Sequence, residues 1–296
     1  MKNFIPALCM LMAIGLFSCS EDEKLTEGLK KQNLESLIQT FTFDLNSSNN
    51  DLSVETDAGC RFTFYPSGFE CDGMPVTGSV NIDIIEIFDK GTMAITGKHT
   101  MTEDAILISG GEFHIRAYQD NKNIDYNRSY IATIPSNLAS PFSNEMQLFK
   151  GGGDIDTAQD WVLAPNATEQ LGLFPQDDST YFLILDGFEW FNCDRFMNDP
   201  RPTTELTIRV PTEFNSQNLT VYLAIQNEES SLGIANQGVF PIGLDVHLIF
   251  IAEQDDQFLY QIISTTVSDV DEYTFERKKM QTATPEELKK IVNGLQ

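Results

Sequence analysis

The sequence predicts an all-β protein: two β-sandwich-like domains followed by a short C-terminal α-helix. Three observations carry that expectation. Apolar and polar residues alternate with a period of two, as in Phe41/Phe43/Leu45 and Leu219/Val221/Leu223/Ile225. Turn clusters such as Asn227-Glu228-Glu229-Ser230-Ser231 and Gln254-Asp255-Asp256 separate the alternating segments. A helical pattern with clear start signals occurs only at the C-terminus, after Thr284-Pro285.

Taken in order, residues 19–36 read as a polar, acidic tether, with Leu34, Leu37 and Ile38 at the spacing of a short helix. A first β-sandwich-like domain is expected over residues 37–155. Its strands include Arg61-Phe62-Thr63-Phe64-Tyr65 and Glu112-Phe113-His114-Ile115-Arg116-Ala117, with Phe113 and Ile115 inward and His114 on the polar face. In the strand around Val80, Ile82 and Ile84 the apolar phase slips to Ile85, Ile87 and Phe88. That slip fits either a β-bulge or a strand buried on both faces. The Gly- and Asp-rich stretch between Phe149 and Trp161 is either a domain boundary or an internal loop; the boundary is placed at 155/156. A second β-sandwich-like domain follows over 156–276, with strands at 181–185, 206–210, 219–225, 246–250 and 258–265. Residues 277–296 form the C-terminal helical segment. Its Thr cap, its proline in the first turn and its Glu287 three residues after the cap are a capping box, and Leu288, Ile291, Val292 and Leu295 form one stripe.

Composition narrows the function classes. The formal net charge is −25, which excludes the positive footprint that nucleic-acid binding needs and disfavours contact with an anionic bilayer. Forty-one per cent hydrophobic residues, with 21 phenylalanines, are enough to build real cores. Beyond residue 19 three cysteines remain. A hairpin turning at Pro66-Ser67-Gly68 would bring Cys60 and Cys71 together for a disulfide, leaving Cys193 as a buried thiol.

Catalytic signatures are sparse. The three histidines, His99, His114 and His247, lie far apart in sequence and outside any HExxH pattern, and no Gly-x-Ser-x-Gly elbow occurs. Lys150-Gly151-Gly152-Gly153 has its lysine before the glycines, the reverse of a phosphate loop, and reads as a flexible loop. Asp154, Asp156 and Asp160 form the one weak calcium candidate; solvated loop carboxylates are the competing reading. No cofactor and no catalytic residue are expected, so the protein is read as a non-enzyme. Trp161, Trp190 and Phe191 are the aromatics that could stack on a glycan, with core packing as the competing reading.

The N-terminus speaks to location. Lys2 followed by the apolar run of residues 4–17 has the layout of a secretory signal and is too short for a comfortable membrane span. Leu16-Phe17-Ser18-Cys19 resembles the bacterial lipobox. That resemblance implies a signal peptide over residues 1–18 and acylation of Cys19, which would hold the chain on a membrane without a spanning helix. Ser20-Glu21-Asp22-Glu23 resembles the surface-export signal of Bacteroidota lipoproteins and implies display at the outer-membrane surface; a solvated spacer is the competing reading. Asp156-Thr157-Ala158 and Asp178-Ser179-Thr180 resemble O-glycosylation sequons of the same phylum.

A wider resemblance covers most of residues 78–196. Gly110-Gly111-Glu112-Phe113, Met146-Gln147-Leu148-Phe149-Lys150-Gly151, Asp160-Trp161-Val162 and the Trp190–Phe196 segment are similar to segments of predicted Bacteroidota surface lipoproteins. The resemblance implies a β-rich exported protein and transfers no catalytic residue. The leading expectation is a membrane-anchored surface lipoprotein acting as a non-enzymatic interaction or structural component of the cell envelope. Its partners would be the membrane, through Cys19, and an envelope protein or glycan. The alternatives are a glycan-binding lipoprotein serving an outer-membrane nutrient importer and a hydrolase with a dispersed site.

Overall fold

A computed structural model describes residues 28–46, 51–156, 160–164, 171–214, 219–269 and 272–296. Cys19, the acidic run after it and the first part of the expected tether lie outside the described residues. The described chain is mostly β, with several antiparallel sheets and three short helices, the last of them C-terminal.

A nine-stranded sheet is organised around the long strand Leu107–Gln119. One edge of that strand pairs with Ser79–Ile87, which pairs in turn with Gln39–Asp44. The other edge pairs with Trp190–Phe196 and then, through a two-residue hairpin, with Lys122–Tyr126. The hairpin turns at Asp120-Asn121, both with positive φ, the geometry that matches the right-handed twist of the strands. A five-stranded sheet lies against one face, in the order Gly172–Asp177, Thr180–Asp186, Ser129–Pro135, Arg61–Phe64 and Leu52–Glu55. Alternate residues of both sheets meet in one core: Phe62, Tyr130 and Leu183 from the smaller sheet, Ile82, Ile115 and Phe191 from the larger. Full burial of one such side chain contributes about 1.5–3 kcal/mol, so this core dominates the stability of the sandwich.

The boundary expected at 155/156 falls elsewhere. Thr180–Asp186 and Trp190–Phe196 pair with strands of the first half, and Gly172–Asp177 adds to the edge of Thr180–Asp186, so the chain leaves the first sandwich only after Phe196. The Gly-rich stretch is an internal loop, and not a free one. The Gly151 N–H donates to the Trp190 carbonyl at 2.9 Å, and the Trp190 N–H to the Gly152 carbonyl at 3.3 Å.

A third sheet follows the order Gly233–Ile234, Leu219–Ile225, Asp245–Gln254, Gln257–Thr266 and Gln281–Ala283. Its Tyr222, Ile249 and Ile251 face a second core shared with Ile85, Ile87, Leu107 and Trp190 on the outer face of the nine-stranded sheet. Its Leu223, Leu248 and Phe250 face a third core, closed in a sandwich-like way by Phe240, Tyr273 and Phe275. The nine-stranded sheet is therefore a middle layer. This explains the phase slip after Ile84: the pairing of Ser79–Ile87 is regular on both sides, with no bulge, and Ile84 and Ile85 point into different cores.

Three helices fill the second core. Helix α1, Leu29–Glu35, buries Leu34 in it, so the end of the expected tether is folded structure. Helix α2, Lys90–Thr96, starts at Asp89, whose carboxylate accepts from the Thr92 N–H at 2.7 Å, and ends at Gly97 with φ 77°. Helix α3, Pro285–Asn293, has both arms of the expected capping box. The Thr284 hydroxyl accepts from the Glu287 N–H, and the Glu287 carboxylate accepts from the Thr284 N–H. Asn293 ties α3 to α2: its Oδ1 accepts from the Gly91 N–H at 2.7 Å and its Nδ2 donates to Asp89 at 2.8 Å. A Cβ at Gly91 would sit 2.4 Å from the Lys289 carbonyl, so the two helices can approach only over glycine. Gly91→Ala is expected to cost about 1–3 kcal/mol by forcing the helices apart, read as a lower denaturation midpoint together with earlier proteolysis of α3.

Candidate functional site

The densest collection of titratable groups lies between the nine-stranded sheet and the helices. Leu107–Gln119 and Trp190–Phe196 pair as His114 with Trp190, Glu112 with Asn192, and Ser109 with Asp194. Gly110 and Gly111 thus oppose Cys193 alone, which makes a β-bulge. Only glycine fits there. A Cβ on Gly110 would lie 2.8 Å from the Cys193 carbonyl, and Gly111 has φ 136° beneath the Phe88 ring. The bulge brings Ser109 onto the same face as Glu112, Asn192 and Asp194.

That face is sealed. Glu112 and Asp194 are both fully buried. Asp194 Oδ2 accepts from Asn192 Nδ2 at 2.7 Å, and the Ser109 hydroxyl donates to Asn192 Oδ1 at 3.1 Å. Burial pushes the Asp194 carboxyl up to about 8, against the pull of Ser109, the Gly110 amide and Asn192. Burial, and then the nearby Asp194, push Glu112 well above the usual carboxylate range, while Lys98 pulls it back. Neither Glu112 oxygen has a hydrogen-bond partner among the described residues, an arrangement that a protonated carboxyl tolerates and a carboxylate does not.

Lys98 and His114 border the cluster. Lys98 Nζ donates to the Ile155 carbonyl at 2.9 Å and lies 4.4 Å from the centre of the Trp190 ring. Burial lowers it to about 8, with Glu112 and Asp156 opposing. His114 packs on Trp190 at 5.0 Å and its Nε2 meets the Gly153 carbonyl at 3.0 Å. Burial lowers it to about 4. The expectation of a solvent-facing polar side for His114 and Glu112 fails because a second core covers that face of the sheet.

The other residues singled out in the sequence are not brought into one site. Trp161, Trp190 and Phe191 are 1%, 0% and 0% exposed. They are core residues and cannot stack on a glycan; Trp161 Nε1 instead donates to the His99 carbonyl at 2.7 Å. Asp156 pairs with Lys31 at 3.1 Å, and the Asp154 carbonyl accepts from Trp190 Nε1. Among the described residues no group of three His, Cys, Asp or Glu side chains is placed to hold a metal ion, so the calcium candidate Asp154, Asp156 and Asp160 is not assembled. Thr157 and Ala158 of one sequon lie outside the described residues, and Asp178-Ser179-Thr180 forms the hairpin between the Gly172–Asp177 and Thr180–Asp186 strands.

The Cys60–Cys71 disulfide is not formed, because Pro66-Ser67-Gly68 does not turn a hairpin. Arg61–Phe64 pairs with Leu52–Glu55 and Ser129–Pro135, whereas Phe69–Cys71 pairs with Met74–Pro75 and Lys122–Tyr126. The three cysteines are free thiols; Cys60 and Cys193 are buried, Cys71 is half-exposed. Burial, and then Glu86, push Cys60 up; burial and then Asp194 push Cys193 up, so neither supplies a thiolate. In the native protein a maleimide is expected to label Cys71, with Cys60 and Cys193 reacting only after denaturation. A Cys60–Cys71 cross-linked peptide from unreduced protein would contradict this.

Beside the sealed cluster the surface opens into a cleft that sequence reasoning missed. One cavity of about 470 Å³ is lined by His99, Ile208, Val210, Leu219, Thr220 and Ile234, among others. A second of about 340 Å³, between α1 and Lys98, meets it at Gly97. No local motif marks this cleft, since the walls of its larger cavity alone come from four separate parts of the chain. Comparison with protein-family models and with curated proteins finds no match to the chain.

Proposed function

We propose that the protein is a lipid-anchored envelope component that works by binding, not by catalysis. The observation that supports this reading best is the enclosure of its reactive groups. Glu112, Asp194, Cys60, Cys193 and His114 are shut between layers and held in their uncharged forms by burial, out of reach of a substrate. The two carboxyl groups do converge, as a hydrolase would need, but at a closed interface. His247 is spent elsewhere, between Ser264 Oγ at 2.8 Å and the Gln296 carbonyl at 3.0 Å. The resemblance of Leu16-Phe17-Ser18-Cys19 to a lipobox supplies the anchor, and the acidic residues that follow suit the outer surface.

The test is cross-linking on intact cells with a membrane-impermeant reagent, with Cys19→Ala as control. Capture of a defined outer-membrane partner by the wild type, lost in Cys19→Ala, is the expected result. Protein that is present in membranes but never labelled on intact cells would overturn surface display.

A further inference from the structure

The outer face of the five-stranded sheet differs from every other face of the three large sheets. Both faces of the nine-stranded sheet and of the third sheet border a core, and so does the inner face of the five-stranded sheet. Its outer face borders none among the described residues. An antiparallel sheet with one solvated face alternates apolar with polar residues, so polar residues are expected there. Instead, the register aligns Phe174, Phe182 and Thr133 in one row across three strands, and Ile184, Ile131 and Thr63 run along the next. None of these side chains belongs to a core and none is buried; Phe174 is 43% exposed. A Cβ at Gly172 would meet the Phe174 ring at 3.4 Å, so that ring reaches the row of Ile184 and joins the two rows into one patch. Contiguous apolar surface of this kind marks an interaction face.

Charge and area select the occupant. The chain carries 44 Asp and Glu against 19 Lys and Arg. The two rows hold a single carboxylate, Glu55 at the far edge, and Arg61 beside it pairs with it at 2.6 Å. A basic partner would be drawn to the acidic remainder of the surface, and an anionic bilayer would be repelled by it. Two acidic copies of the chain meet least repulsion over a face without net charge. Five strands about 4.8 Å apart and about 20 Å long present roughly 500 Å². Two such faces bury roughly 1,000 Å², the lower bound of a specific interface. We propose that a second copy of this chain covers the face, forming a reversible dimer about a two-fold axis, with the central strand Ser129–Pro135 of each copy nearest the axis. Sheets packed face to face stand about 10 Å apart with their side chains interdigitated, and a two-fold contact needs one self-complementary patch. An interface of this size dissociates in the micromolar range or above.

Sedimentation equilibrium tests this on the full chain carrying Cys19→Ala, which removes association driven by acyl groups. From micromolar to millimolar concentration the mass is expected to rise from one copy to two and stop there. Raising the salt from about 0.05 M to about 0.5 M should tighten the dimer, because it screens repulsion between acidic copies. Thr133→Glu and Thr133→Lys each set like charges against each other near the axis and should weaken the dimer at least about tenfold, whereas an equal mixture of the two should pair again. Phe174→Ser changes only an exposed side chain and should also weaken the dimer, which guards against a Thr133 variant that misfolds. A wild type that stays monomeric at millimolar concentration would leave the face to a different partner and overturn the proposal. Association that continues beyond two copies, a dimer that salt dissociates, or one that survives the Thr133 and Phe174 substitutions would also overturn it.

Discussion

Between pH 5 and pH 8 the stability gap between Asp194→Asn and the wild type is expected to widen in favour of the variant, and then to level off. The folded protein holds the Asp194 proton up to about pH 8, whereas the unfolded chain releases it near the ordinary value of 3.8. Across that window the folded state binds more protons, so raising the pH favours the unfolded state. The limiting slope is about 1.4 kcal/mol per pH unit for one proton. Asparagine keeps the shape and carries no proton to lose. Titrating groups away from the cluster do not disturb the comparison, because they are shared by both proteins; Glu112 and Cys193, which Asp194 pushes up, lose that push in the variant, and the relief of Glu112 acts in the same direction as the loss of the Asp194 proton. His99 and His114, each lowered to about 4, act in the opposite direction: they remove stability as the pH falls from 6.5 towards 4, because only the unfolded chain takes up their protons. Denaturant midpoints at pH 5, 6.5, 8 and 9 measure the gap. A gap independent of pH would mean that Asp194 ionises normally and that the cluster is open to water.

Trp190→Ala is expected to cost about 3–5 kcal/mol, the range of a fully buried large aromatic. Trp190 is completely enclosed, carries Lys98 over its ring, packs on His114 and donates to the Asp154 carbonyl. Its loss would leave a buried ammonium without the ring that faces it. Trp190→Phe should cost less, since a ring remains and only the indole N–H and some volume are lost. Urea unfolding of both variants measures this. A tryptophan that served as an exposed glycan contact would give a change within about 0.5 kcal/mol on substitution, so the size of the effect separates the two roles.

Local features of this fold were legible in the sequence, and layering was not. Thr284 and Glu287 announced α3 because a capping box is complete within four residues. The phase slip at Ile84-Ile85 already carried the information that one strand faces two cores. Glu112, His114 and Arg116 misled, because alternation identifies two faces without saying what lies above each. Arg116 does reach solvent and pairs with Asp83 at 2.7 Å; its neighbours two and four residues back are covered by the second core. Helix α2 left little trace, since its seven residues are buried all round and include Gly91, two threonines and Ile95, none of which makes an amphipathic stripe. The cysteines failed for a topological reason. Cys60 and Cys71 are close in sequence, but their strands belong to different sheets. The cleft was invisible for the same reason: His99, Leu219 and Ile234 line one cavity but lie far apart in the sequence.

Intact-mass analysis of the protein extracted from cell membranes, wild type beside Cys19→Ala, tests the anchored-component reading most directly. The expected result is a chain that begins at Cys19 and carries acyl groups, with the variant unacylated and released from the membrane fraction. Wild-type protein found without acyl mass, cleaved at another residue and recovered from the soluble fraction, would contradict it.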